Sequence, residues 1–103
     1  MIKLREGEKR DISVRVSRTR GLETDVTLTN PQRRILDADR AVITSFDWAT
    51  ASWDSEEREL YAAFDSTATG LATPGIYYMQ LRGTIGTEVY AREIRVDVLD
   101  WGP

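Results

Sequence analysis

Ile76-Tyr77-Tyr78-Met79-Gln80-Leu81-Arg82 sets Tyr77, Met79 and Leu81 on one side of an extended chain and Tyr78, Gln80 and Arg82 on the other. Successive side chains of a strand point to opposite faces, so this stretch reads as a strand with one face in a core and one in water. Ile85-Gly86-Thr87-Glu88 follows as a tight turn in which Gly86 permits a positive φ. Val89–Leu99 returns with Ile94, Val96 and Val98 inward and Glu93, Arg95 and Asp97 outward. Arg92 falls on the inward register, which predicts a bulge or an open sheet end nearby. A hairpin with period-two alternation on both arms points to an all-β protein.

The same period recurs towards the N-terminus. Asp11–Arg18 alternates around Ile12, Val14 and Val16, and Thr19-Arg20-Gly21 supplies a turn. Thr24–Thr29 repeats the pattern with Val26 and Leu28 inward, and Asn30-Pro31 is expected to end it, because proline cannot donate to a ladder. Arg33–Leu36 reads as a short edge strand, and Asp37-Ala38-Asp39 as a turn. Ala41–Trp48 reads as a strand with Val42, Thr44, Phe46 and Trp48 on one side, which makes Trp48 the expected core tryptophan of a sandwich. Ala49–Glu57 is a small, polar connection around Trp53. Ser55–Phe64 admits a helix capped by Ser55, but Leu60, Ala62 and Phe64 alternate with Glu59, Tyr61 and Ala63 and favour a strand.

The chain has 103 residues, a length that fits one domain with one core. Residues 1–10 form an extended arm or a first edge strand, and 100–103 a tail. Strands separated by turn signals roughly every ten residues predict an immunoglobulin-like antiparallel β-sandwich of about seven strands.

Composition narrows the chemistry. The chain contains no His and no Cys, so imidazole bases, thiolate nucleophiles, Cys/His zinc sites and disulfides are excluded. Its serines have no His base, and neither Lys3 nor Lys9 stands in a Ser-x-x-Lys context. Catalysis is therefore not expected. Asp37 and Asp39, with Asp47 or Asp54, are too few oxygen donors for calcium and read more simply as turn residues, so no metal or cofactor is expected. A net charge of −3 argues against nucleic acid as a general partner. No run of eighteen apolar residues points to a membrane, and Met1–Arg10 has no signal-peptide hydrophobic stretch, which implies synthesis in the cytoplasm. Twelve of the 14 basic residues are Arg; GC-rich coding is the simpler source, and a surface suited to bidentate carboxylate contacts the other.

The aromatics supply the candidate contacts. Trp53 in its polar connection, Asp54 beside it, and Trp101 near the end of the sequence are the candidate interaction residues. Tyr78 and Tyr90 read as a cross-strand pair, or else as an aromatic patch on the outer face.

Leu71-Ala72-Thr73-Pro74-Gly75-Ile76-Tyr77 resembles the Leu…Pro-Gly-x-Tyr signature at the start of a late strand in immunoglobulin-like and fibronectin type III-like domains. That resemblance implies a tyrosine corner: the Tyr77 ring inward, its hydroxyl returning to nearby backbone, and Leu71 beneath the loop. The antibody disulfide is absent. A wider pattern runs through Leu4-Arg5-Glu6-Gly7-Glu8, Phe64-Asp65, Pro74-Gly75-Ile76-Tyr77-Tyr78 and Gly83-Thr84-Ile85-Gly86-Thr87-Glu88-Val89-Tyr90. It resembles the small immunoglobulin-like modules of tailed bacteriophages and prophages, including the N-terminal domain of baseplate upper proteins. The resemblance implies a non-enzymatic virion structural or assembly role, contacts with other virion or assembly proteins, and incorporation into a virion, with a homo-oligomer among the options. It assigns no role to any numbered residue. The rival expectation is a carbohydrate-binding or adhesive module using Trp53 with Asp47 and Asp54.

Overall fold

The computed structural model describes residues 2–16 and 28–100, and eight strands lie within them: β1 (Ile2–Arg5), β2 (Lys9–Arg15), β3 (Leu28–Leu36), β4 (Ala49–Thr50), β5 (Ser52–Asp54), β6 (Glu59–Asp65), β7 (Gly75–Ile85) and β8 (Glu88–Leu99). They form two sheets, one of five strands ordered β1-β8-β7-β3-β4 and one of three ordered β2-β6-β5. The fold is thus an all-β, two-sheet sandwich. Its larger sheet is mixed, because β1 runs parallel to β8, which corrects the expectation of antiparallel pairing throughout. β1 lies at the edge of the larger sheet and carries Leu4 into the core.

The alternation on each strand generates the core. Ile35, Met79, Leu81 and Val96 from the larger sheet are fully buried against Ile12, Leu60 and Phe64 from the smaller one. Each such side chain contributes about 1.5–3 kcal/mol by leaving water. β6 forms as a strand, as its Leu60, Ala62 and Phe64 period requires, and Ser55–Arg58 is the turn before it. The β7–β8 ladder is unbroken from Gly75 opposite Val98 to Ile85 opposite Glu88, and Gly86 closes it at φ 64°. Arg92 therefore sits at an open sheet end with no bulge; its guanidinium lies 4.4 Å from the centre of the Tyr90 ring. The tyrosine corner is present. The Tyr77 hydroxyl donates to the Thr73 carbonyl at 2.6 Å, its ring meets Phe64 edge-on at 5.6 Å, and Leu71 is wholly buried.

Several local expectations are overturned. Ala41–Trp48 is not a strand: Val42 makes one bridge to Leu36, and Thr44–Phe46 then turns as a 3₁₀ helix. Ile43 donates to the Ile35 carbonyl and Phe46 to that of Ile43, so the backbone bonds locally and leaves the ladder. Trp48 is half-buried outside the core. Asn30-Pro31 does not end its strand, because a bulge between Thr29 and Gln32 absorbs both residues, with Asn30 at φ 55°. The missing proline N–H thus removes no ladder bond, and the Pro31 carbonyl still accepts the Ala51 N–H at 2.9 Å. Arg33–Leu36 is not an edge; β3 lies between β7 and β4. Tyr78 and Tyr90 are not a pair, since Tyr78 is opposite Arg95 and Tyr90 opposite Gly83, on different faces. Tyr90 packs on the core side and its hydroxyl donates to the Arg15 carbonyl at 3.4 Å. The expectations for Thr19-Arg20-Gly21, Val26 and Trp101 fall outside the described residues.

Candidate functional site: the outer face of the larger sheet

Because Met79 and Leu81 point into the core, Gln80 and Arg82 point away from the second sheet. Register brings Gln32 opposite Arg82, Arg34 opposite Gln80, and Gln80 opposite Glu93. β4 is only two residues long, but pairing Thr50 with Gln32 holds the preceding Trp48 over this face. The Arg82 guanidinium carbon lies 3.7 Å from the centre of the Trp48 ring, and that of Arg34 4.7 Å. The same segment is fastened on its other side by Arg33, whose Nη1 donates to the Asp47 carbonyl at 2.9 Å and whose guanidinium carbon lies 5.2 Å from the Phe46 ring centre. Partial burial pushes the Arg33 pKa down.

Three polar links tie the strands together across the face. Arg34 Nε donates to Gln80 Oε1 at 2.5 Å, Arg82 Nε to Gln32 Oε1 at 2.8 Å, and Gln80 Nε2 to Glu93 Oε1 at 3.0 Å. Arg40, held at φ 64° by the turn after β3, forks onto both Glu93 oxygens at 2.6 and 2.9 Å and lies over Tyr78. The Arg40 hydrogen bond, helped by Gln80, holds the Glu93 carboxyl below the usual carboxylate range. Glu93 is thus committed to Arg40. Arg34 and Arg82 meet only neutral amides and the indole ring, and among the described residues neither has a carboxylate within ion-pair distance. Their Nη groups are left with donors and no acceptor among those residues.

A shallow hollow of about 390 Å³ opens here, lined among others by Arg34, Trp48, Arg82, Val89 and Glu93. A second, of about 160 Å³, shares Arg82 and Val89 with it and reaches the bulge at Asn30. Val89 is 70% exposed beside them. Guanidiniums donate hydrogen bonds and do not exchange protons near neutral pH, so what this arrangement offers is binding of a planar anionic group next to an apolar one.

The residues expected from the sequence lie elsewhere. Trp53 is opposite Leu60, half-buried and packed against the core. Asp54, its neighbour on β5, points to the other side, and its Oδ1 accepts the N–H groups of Glu56 and Glu57 at 3.0 and 3.1 Å. Asp47 Oδ1 accepts the Trp48 N–H at 2.8 Å. Asp37 Oδ1 accepts the Asp39 and Ala41 N–H groups, the turn role expected for it. The Arg34–Trp48–Arg82 cluster was missed; its signal lay in the polar alternates of β3 and β7 and in the arginine excess. No protein-family model matches the chain, and no curated protein matches its sequence.

Proposed function

We propose that this protein is a non-catalytic assembly module that acts through protein–protein contacts, with the outer face of the larger sheet as its contact surface. The carrying observation is the Arg34–Trp48–Arg82 cluster, two guanidiniums that have no carboxylate within ion-pair distance among the described residues, beside a hollow and an exposed Val89. Arg and Trp are the residue types that dominate binding energy in protein interfaces. An immunoglobulin-like relationship and a phage- or prophage-type virion role remain part of the proposal, supported by the sequence pattern and the Tyr77 corner. In that role the chain is made in the cytoplasm and joins other virion or assembly proteins.

The glycan-binding rival is less supported, because Trp53 turns its ring towards the core and Asp54 serves the turn after it. The immobilised protein, probed with itself and with the products of adjacent genes, tests the proposal. Binding is expected, and Val89→Arg should abolish it. No binding to any of them, or binding indifferent to that substitution, would overturn the reading.

A further inference from the structure

We infer that the outer-face hollow receives the acidic β5–β6 turn of a second copy of this chain, so that copies join head to tail. The inference rests on the assembly reading and names its partner. The turn carries Asp54, Glu56 and Glu57, with Ser55, Glu56 and Glu57 all exposed. Among the described residues the Glu56 carboxylate has no hydrogen-bond or ion-pair partner, and Glu57 has only a loose 3.5 Å contact with exposed Arg15. The hollow offers the complement: Nη groups of Arg34 and Arg82 that have no acceptor among the described residues, with Val89 beside them.

Within one chain these two halves cannot meet. The turn belongs to the smaller sheet, where the Arg58 carbonyl accepts the Val16 N–H, and the hollow lies on the side of the larger sheet turned away from it. Unpaired acids and unpaired bases fixed on opposite sides of one rigid body satisfy each other only between bodies. Each copy contributes its β5–β6 turn to one neighbour and its Arg34–Arg82 hollow to another, so the contact is heterologous and propagates as a chain or closes as a ring. A carboxylate suits the hollow better than a polyphosphate backbone: Glu93 already stands in its wall, and the whole molecule carries a net charge of −3, which repels an extended polyanion.

Light scattering over a concentration series, at low and high salt, tests this with two variants that each destroy one half. Arg82→Gln breaks the hollow, and Glu56→Gln/Glu57→Gln breaks the turn; both replacements are neutral, so the two altered halves do not attract each other. The wild type should gain mass with concentration and lose it with salt. Each variant alone should self-associate about tenfold or more weakly, the size expected from losing close charge pairs at an interface. Mixed together, the two variants should form a dimer and nothing larger, since only one intact turn and one intact hollow remain per pair. That dimer also shows that both variants are folded. A wild type that stays monomeric, or a mixture that fails to associate, overturns the head-to-tail contact. Binding of an adjacent gene product at Val89 without self-association would remove this contact alone and leave the assembly reading standing.

Discussion

Trp48 is stacked against the guanidiniums of Arg34 and Arg82, and this accounts for its misreading from sequence. Alternation tells which residues share a face, but an aromatic stacked under Arg34 and Arg82 and an aromatic in a core have the same period. Exposed cation–π contacts contribute about 0.5–1 kcal/mol each. Trp48→Ala should therefore lower stability by roughly 1–2 kcal/mol in urea denaturation, and Arg82→Lys by a smaller part of that, because lysine has no planar group to stack. Tyr77 was legible by contrast, since its ring, hydroxyl acceptor and supporting Leu71 all come from one short stretch of sequence. Tyr77→Phe removes a hydrogen bond and nothing else, so urea denaturation should register a loss of about 0.5–1.5 kcal/mol. Glu93 gives a pH signature. Its folded-state pKa is depressed by Arg40, so the pair adds stability above the ordinary glutamate range and loses it as pH falls through the folded value. Melting temperature followed against pH should fall less steeply on the acid side in Glu93→Gln than in the wild type.

The turn and the inward faces of the β7–β8 hairpin were readable because both are local, while its register, which sets Tyr78 opposite Arg95 and not Tyr90, was not. β3 was not. Its Asn30-Pro31 pair looks like a terminator, and only the long-range ladder with β7 shows that a bulge carries the strand past it. Nor does Gly83 announce its role. It faces Tyr90 across the ladder while Leu28 closes over it, and a Cβ added there would lie 2.4 Å from Leu28 Cδ2. Gly83→Ala should thus destabilise by about 1–3 kcal/mol, the usual cost of overpacking a filled core site. The double variant Leu28→Ala/Gly83→Ala should be more stable than the sum of its single losses, because the two side chains compete for one volume. Thermal melts of the four proteins in that cycle check both statements.

The molecule measures 51 × 26 × 18 Å, and its longest strands, β7 and β8, both lie in the larger sheet. Composition gave the net charge but could not give its distribution: among the described residues, Arg34 and Arg82 on one face and Glu56 on a distant turn have no ion-pair partner. The all-β class and much of the core were legible because both follow from a period, whereas the parallel pairing of β1 and the place of Trp48 outside the core were not. The contact surface was not, because it depends on which of two equally amphipathic faces the second sheet covers. That surface is the central claim. Heteronuclear NMR over a concentration series reads it directly, through the indole N–H of Trp48 and the Nε–H groups of Arg34 and Arg82. As association proceeds, with more of the protein itself or with an adjacent gene product titrated in, these resonances should shift or broaden while the amide of core Met79 stays in place; if they hold still although a complex forms, the outer face is not where this protein meets its partner.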